Sequence, residues 1–189
     1  MVCDVGETLV DESALWSELA DQVGVPRFTF MATLGGLIAR GRDHREMWDE
    51  LGIDRPRYWP EHAASDLYPD AAEFLKALRR LGITVGIVGN QPERTESLLK
   101  DMGLPADFVA SSTGWGVEKP SPEFFTKLVD VCGCAPEQVP YVGGSRRQRH
   151  RPCCGRRTFD LSYSSGSVGS HPVTAAGGED RHDAGRVTG

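Results

Sequence analysis

The apolar positions of this chain change rhythm several times, and each change marks an element. A short apolar run, Val2-Cys3, ends in Asp4 and is followed at once by Gly6, Glu7 and Thr8, the pattern of a strand that hands a carboxylate to a loop at its carboxyl end. From Ala14 the spacing turns helical through Leu15, Trp16, Leu19, Ala20 and Val23, and it stops at Gly24 and Pro26. A second helix is expected from Arg27 or Thr29 through Phe30, Met31, Leu34, Leu37 and Ile38, with Gly35 and Gly36 weakening it. Asp43 stands as an N-cap ahead of a short helix, 44–51, closed by Gly52. Residues 54–65 have no clean period and are expected to be loop, so 12–67 as a whole reads as a small all-helical insert.

From Pro69 the pattern becomes regular. A helix through Ala72, Phe74, Leu75, Leu78 and Leu81 stops at Gly82, and an apolar strand, 83–88, then ends in Gly89-Asn90-Gln91. A helix over 93–102 closes at Gly103, and a strand over 108–112 leads into a loop, 114–120. Ser121-Pro122 opens a helix through Phe124, Phe125, Leu128 and Val131, and 139–142 is a last strand. Strands alternating with helices specify an α/β fold, a doubly wound parallel sheet, with its core in residues 1–11 and 68–142.

Composition narrows the setting. With 189 residues and 39% apolar content the chain suits one globular domain carrying an insert. No run approaches the roughly 18 apolar residues of a membrane span, and the N-terminus lacks a basic region followed by an apolar one, so a cytoplasmic protein with no membrane partner is expected. Five cysteines, among them Cys3 and the pairs Cys132/Cys134 and Cys153/Cys154, show neither zinc spacing nor a secreted framework. The net charge of -6 is split: residues 1–142 hold 13 basic and 23 acidic residues, whereas 143–189 hold 8 and 4.

A parallel sheet gathers the carboxyl ends of its strands at one edge, which here brings together Asp4, Gly89-Asn90 and the loop carrying Lys119. A carboxylate nucleophile attacking a phosphoryl group needs positive charge and hydrogen-bond donors close by, because charge develops on the phosphoryl oxygens. Lys119 alone would read as a surface lysine before a proline turn, but the order and spacing of the parts favour Asp4 as that nucleophile and Lys119 as that charge.

The stretch Val2–Asp11, through Asp4, Thr8 and Leu9, resembles the first motif of the haloacid dehalogenase-like hydrolases, an apolar strand followed by Asp-x-Asp-Gly-Thr-Leu. The order of elements through 4–142 is similar to that family's core, with a helical cap inserted after the first strand. The resemblance implies that Asp4 forms an aspartyl intermediate and that its side chain and the backbone carbonyl of Gly6 ligate Mg²⁺. It implies that Lys119, in Glu118-Lys119-Pro120, is the lysine of the third motif. Gly89 falls where the second motif has a Ser or Thr that holds the phosphate, with Asn90 beside it, and Leu67-Tyr68-Pro69 matches the return from cap to core.

The chain departs from the family at three places. Gly6 stands where phosphatases of the family carry a second aspartate that protonates the leaving group, so good leaving groups are expected to react best and Gly6→Asp to help alkyl esters most. Gly89 lacks the hydroxyl of the second motif. After Tyr141-Val142-Gly143 the family has an acidic fourth motif that completes the metal site, whereas here stands Gly144-Ser145-Arg146-Arg147-Gln148-Arg149-His150. From Gly143 onward there is no Lys, Ile or Met, and Leu161 is the only Leu. One permitted back-translation of Gly144–Arg157, read one base later, encodes Asp-Arg-Val-Asp-Asn-Asp-Ile-Ala, an acidic motif in the required place. A single inserted base near the Gly143-Gly144 codons would produce this, a natural basic tail being the alternative, and residues 143–189 are expected to form an aberrant, disordered tail. Its arginines lack interleaved aromatics, so no nucleic-acid partner is expected.

The leading expectation is a Mg²⁺-dependent hydrolase of a small phosphorylated metabolite, with the insert choosing the substrate. Two others stand beside it: a non-catalytic relative that binds a phosphorylated ligand or a protein partner, and a dehalogenase-type hydrolase, which needs no proton for its halide and is favoured by Gly6.

Overall fold

The computed structural model describes residues 1–143. Its helices are α1 (Ser13–Gln22), α2 (Arg27–Ala39), α3 (Met47–Leu51), α4 (Ala71–Arg80), α5 (Glu93–Asp101), α6 (Ser112–Trp115) and α7 (Pro122–Cys132). Its strands are β1 (Val2–Cys3), β2 (Gly86–Gly89), β3 (Phe108–Ser111) and β4 (Tyr141–Val142), which form one parallel sheet in the order β3-β2-β1-β4. Val2 pairs with Gly86 and Tyr141, Cys3 with Ile87 and Val142, and β2 runs in register with β3 from Gly86↔Phe108 to Gly89↔Ser111.

Successive residues of a strand point to opposite faces, and this alternation builds two layers of core. Cys3 and Ile87, with Val5, Leu9 and Val85, pack against Ala71, Leu75 and Leu78 of α4 and Leu99 of α5. Val2, Val88 and Ala110 point the other way, onto Phe124 and Leu128 of α7. Helices therefore cover both faces, and the doubly wound parallel sheet is the one expected.

The insert has a core of its own. Leu15, Leu19, Phe30, Leu34, Leu37, Met47 and Trp48 are buried together, with Trp16 and Trp59 packed against them. The indoles and Phe30 meet at steep angles, with Trp16–Trp59 centroids 5.7 Å apart and Phe30–Trp48 centroids 5.8 Å apart. Helix α2 runs through Gly35 and Gly36 without a break. Each glycine costs a helix about 1 kcal/mol, less than the about 1.5–3 kcal/mol gained by burying each of Phe30, Leu34 and Leu37. Asp43 caps as expected: its carboxylate accepts from Arg45 N, while Glu46 accepts from Asp43 N, both at 2.9 Å. The turn so capped, His44–Glu46, is 3-10, and α proper begins at Met47.

Insert and core are joined by a two-stranded neck. Val10 and Leu67 form an antiparallel bridge, Asp11 N donates to Asp66 O at 2.8 Å, and Tyr68 N donates to Leu9 O at 3.0 Å.

Four expectations shift in detail, the first being the last strand, which begins at Tyr141 instead of Val139 because a 3-10 turn, Pro136–Gln138, ends only at Val139. The second strand begins at Gly86 instead of Ile83, because β1 starts at Val2 and Thr84 O already accepts the terminal amine of Met1 at 2.6 Å. Residues 112–115, read as strand end and loop, form a helical turn because Ser111 Oγ accepts from Gly114 N at 3.1 Å. A single 3-10 turn, Ala64–Asp66, lies at the end of the loop expected over 54–65. Among the described residues no helix is long and apolar enough to cross a membrane. The expectations for the tail, from Gly144 onward, lie outside the described residues.

Candidate active site

Asp4 follows β1 directly, so the strand fixes its backbone at the carboxyl edge of the sheet. Lys119 reaches the same point from the loop between α6 and α7, and its Nζ lies 2.5 Å from Asp4 Oδ2. Both residues are buried, at 5% and 2% exposure. The other oxygen, Oδ1, accepts from Val5 N at 2.9 Å. The Tyr141 ring centroid lies 5.2 Å from the ammonium, a cation–π distance, and its hydroxyl donates to Val88 O at 2.7 Å. Burial first, and then the neighbouring Asp4 carboxylate, hold the Tyr141 phenol well above its usual pKa.

Asn90 grips Lys119 by the main chain. Its Nδ2 donates to Lys119 O and its Oδ1 accepts from Lys119 N, both at 2.8 Å. The amide expected at the phosphate is thus engaged in placing the lysine, across a gap of 29 residues in sequence. Gly89 touches Asp4 closely: a Cβ there would stand 2.8 Å from Asp4 Oδ1 and 3.1 Å from Val5 Cγ2. Gly143 closes the other side with φ +116°, where a Cβ would collide with Asp4 Cβ and Thr8 Oγ1. Only glycine allows both that conformation and that approach.

The loop after Asp4 folds back on itself. Val5 O accepts from Leu9 N and Val10 N, at 2.9 and 3.1 Å, and Glu7 N donates to Val10 O at 2.8 Å. Glu7 sits at φ +51°, the left-handed conformation that glycine adopts most readily, in the place where the family motif has Gly. Its carboxylate accepts from Tyr68 OH and Glu12 N, each at 3.0 Å, which offsets the backbone cost.

That fold-back delivers a residue that the sequence did not single out. A Cβ built on Gly6 would run into the carboxylate of Glu12, with Oε2 2.8 Å away. Trp16 Nε1 donates to Glu12 Oε2 at 3.2 Å, and His62 Nε2 lies 3.8 Å from Oε1. Burial, with smaller contributions from the charges of Glu7 and Asp4, pushes the Glu12 carboxyl up to about 7. His62 is buried at 4% exposure, which lowers its pKa, and its Nδ1 has no hydrogen-bond partner among the described residues. The only hint in the sequence was the missing side chain at residue 6.

Mg²⁺ takes hard oxygen donors and usually keeps several waters, with one or two carboxylates. The Asp4 carboxylate and the Gly6 carbonyl are donors of that kind, so their chemistry fits the ion. Among the described residues no three acidic, His or Cys side chains cluster into a metal site. Gly143, packed on Asp4, leads directly to the segment where the family motif carries its remaining carboxylates.

Asp4, Gly6, Gly89 and Lys119 thus meet at one edge of the sheet, with Asn90 behind the lysine. Comparison with known proteins bears on this arrangement. The model of one protein family, described as haloacid dehalogenase-like hydrolase, matches residues 1–146. Over 118 residues the chain is 29% identical to phosphoglycolate phosphatase 1 of Pseudomonas aeruginosa, covering 61% of this chain and 43% of that protein. Over 140 residues it is 31% identical to the phosphoserine phosphatase of Thermus thermophilus, covering 69% and 54%. The chain spans about half the length of these curated relatives. The fold is shared with a HAD-superfamily hydrolase from Ehrlichia chaffeensis, at 23% identity over 78% of each chain and TM-score 0.51. It is also shared with an L-2-haloacid dehalogenase, at 14% identity over 74% of this chain and 75% of that one, TM-score 0.54. The family match takes in every described residue, from the Asp4 strand to Gly143, and the chain belongs to the haloacid dehalogenase-like hydrolases.

Proposed function

We propose that the chain is a phosphatase of small phosphorylated metabolites that works through an aspartyl intermediate at Asp4. The observation that carries this reading is the buried contact between Asp4 and Lys119 at the carboxyl edge of a parallel sheet. An Asp4 oxygen bonds to phosphorus as the bond from phosphorus to the ester oxygen breaks, and water then hydrolyses the acyl phosphate. Lys119 stabilises charge on the phosphoryl oxygens, and Asn90 holds the lysine main chain so that its ammonium need not search. The Asp4 carboxylate and the Gly6 carbonyl would hold Mg²⁺, which would further neutralise the phosphoryl group. The relatives named as phosphoglycolate and phosphoserine phosphatases support a small, acidic phosphate ester as substrate. The aromatic insert, which reaches the Lys119 loop through Arg45 and Glu118, selects it.

Beryllofluoride with Mg²⁺ mimics an aspartyl phosphate and tests the reading without turnover. It is expected to raise the melting temperature of the chain, and Asp4→Asn is expected to abolish the rise. Equal protection of the mutant removes Asp4 from the reaction. The dehalogenase reading, favoured by the absence of a side chain at Gly6, requires halide release from a 2-haloacid, and phosphate release without it sets that reading aside.

A further inference from the structure

A side chain is missing at residue 6, but a carboxylate is not missing from that place. The first loop turns back through the contact of Gly6 with Val10, and this brings the start of α1 over Gly6. The Glu12 carboxylate then occupies the space that a Cβ on residue 6 would enter. The indole N–H of Trp16 donates to it from the insert, the Gln91 side chain reaches it from the core, and the imidazole edge of His62 lies 3.8 Å away. Its side chain is only 17% exposed, too enclosed to be a solvated surface acid. The neighbouring His62 Nδ1, buried and unpartnered among the described residues, is a polar atom that a bound ligand or water would satisfy.

We propose that Glu12 is the acid–base residue of this site, its carboxylate replacing from the insert what the family places on residue 6. The assignment rests on the phosphatase reading above. In the first half of the reaction Glu12 gives its proton to the departing alkoxide as Asp4 bonds to phosphorus. In the second half it takes a proton from the water that attacks the aspartyl phosphate, and so returns to its starting state. Residue 6 has to be glycine for this to work, since any side chain there displaces the Glu12 carboxylate.

The test compares a poor leaving group with a good one on the full chain, using glycerol phosphate and p-nitrophenyl phosphate. Glu12→Gln keeps the shape and the Trp16 contact. It is expected to lower kcat on glycerol phosphate about a hundredfold or more, and on p-nitrophenyl phosphate less than about tenfold. Gly6→Ala, which leaves Glu12 in the sequence but pushes its carboxylate aside, is expected to show the same asymmetry. Equal losses on both esters, or no loss on either, overturn the assignment. An unmutated chain that cleaves the aryl ester alone overturns it too, since no acid is then at work. Cleavage of neither ester, or activity surviving Asp4→Asn, overturns the phosphatase reading itself.

Discussion

The insert and the sheet edge hold their shapes by different means. Inside the insert, Trp16, Phe30, Trp48 and Trp59 lock by ring packing, and most of the hydrogen bonds around them, such as those from Arg42 to Glu46 and Glu50, lie on the exposed surface. At the sheet edge almost every atom that matters is set by a polar partner: Asp4 by Lys119 and Val5, Lys119 by Asn90, Glu7 by Tyr68. A packed aromatic cluster can be altered in shape while its stability changes by degrees, so it suits the substrate-selecting role proposed for the insert. A closed polar network fails when one member is lost, so it suits the fixed chemistry proposed for Asp4 and Lys119.

This contrast can be broken at four points. The largest effect is expected from Lys119→Met, which leaves the Asp4 carboxylate buried without its counter-charge. It should cost about 3–5 kcal/mol in chemical denaturation, and adding Asp4→Asn should recover most of the loss. Failure of the double mutant to recover would mean that packing, and not charge, governs the edge. Next, Trp48→Ala empties the centre of the insert and should cost about 3–5 kcal/mol there. Hydrogen exchange should show the insert loosened while the amides of β2 stay protected; loosening of both would make the two regions one cooperative unit.

Asn90→Ala removes both hydrogen bonds to the Lys119 main chain and should cost about 1–3 kcal/mol. Asn90→Asp, which can still accept from Lys119 N but cannot donate to its carbonyl, should fall between the two in melting temperature. The smallest effect belongs to Arg45, which reaches from the insert to Glu118 at 3.1 Å across half-exposed side chains. Arg45→Ala should cost at most about 1 kcal/mol, and the difference should shrink in high salt.

What the sequence made legible divides along similar lines. Hydrophobic rhythm located every strand and long helix of the described residues, because burial on one face imposes a period that a reader can find. The ends of strands located Asp4 and Lys119, because a parallel sheet has only one edge where ligands meet. The partnerships were not legible. Asn90 meets Lys119 across 29 residues and His62 approaches Glu12 across the whole insert, and nothing local encodes either pairing. Glu12 was hidden for a related reason. The fold-back that carries it to Gly6 depends on Glu7 adopting a left-handed conformation, which its residue type does not advertise.

The neck has a consequence for how such a molecule changes over generations. Its two strands run side by side, Val10 against Leu67, so the sheet meets everything beyond them as it would meet a hairpin turn. Doubling the length of chain between two fixed points adds only about 0.6 kcal/mol of closure cost, so the inserted module can grow, shrink or be exchanged with little penalty to the sheet. Glu12 makes that freedom conditional. On the proposed reading, a module transplanted onto this neck inherits Asp4 and Lys119 from its host, but it must bring its own carboxylate to the space beside Gly6.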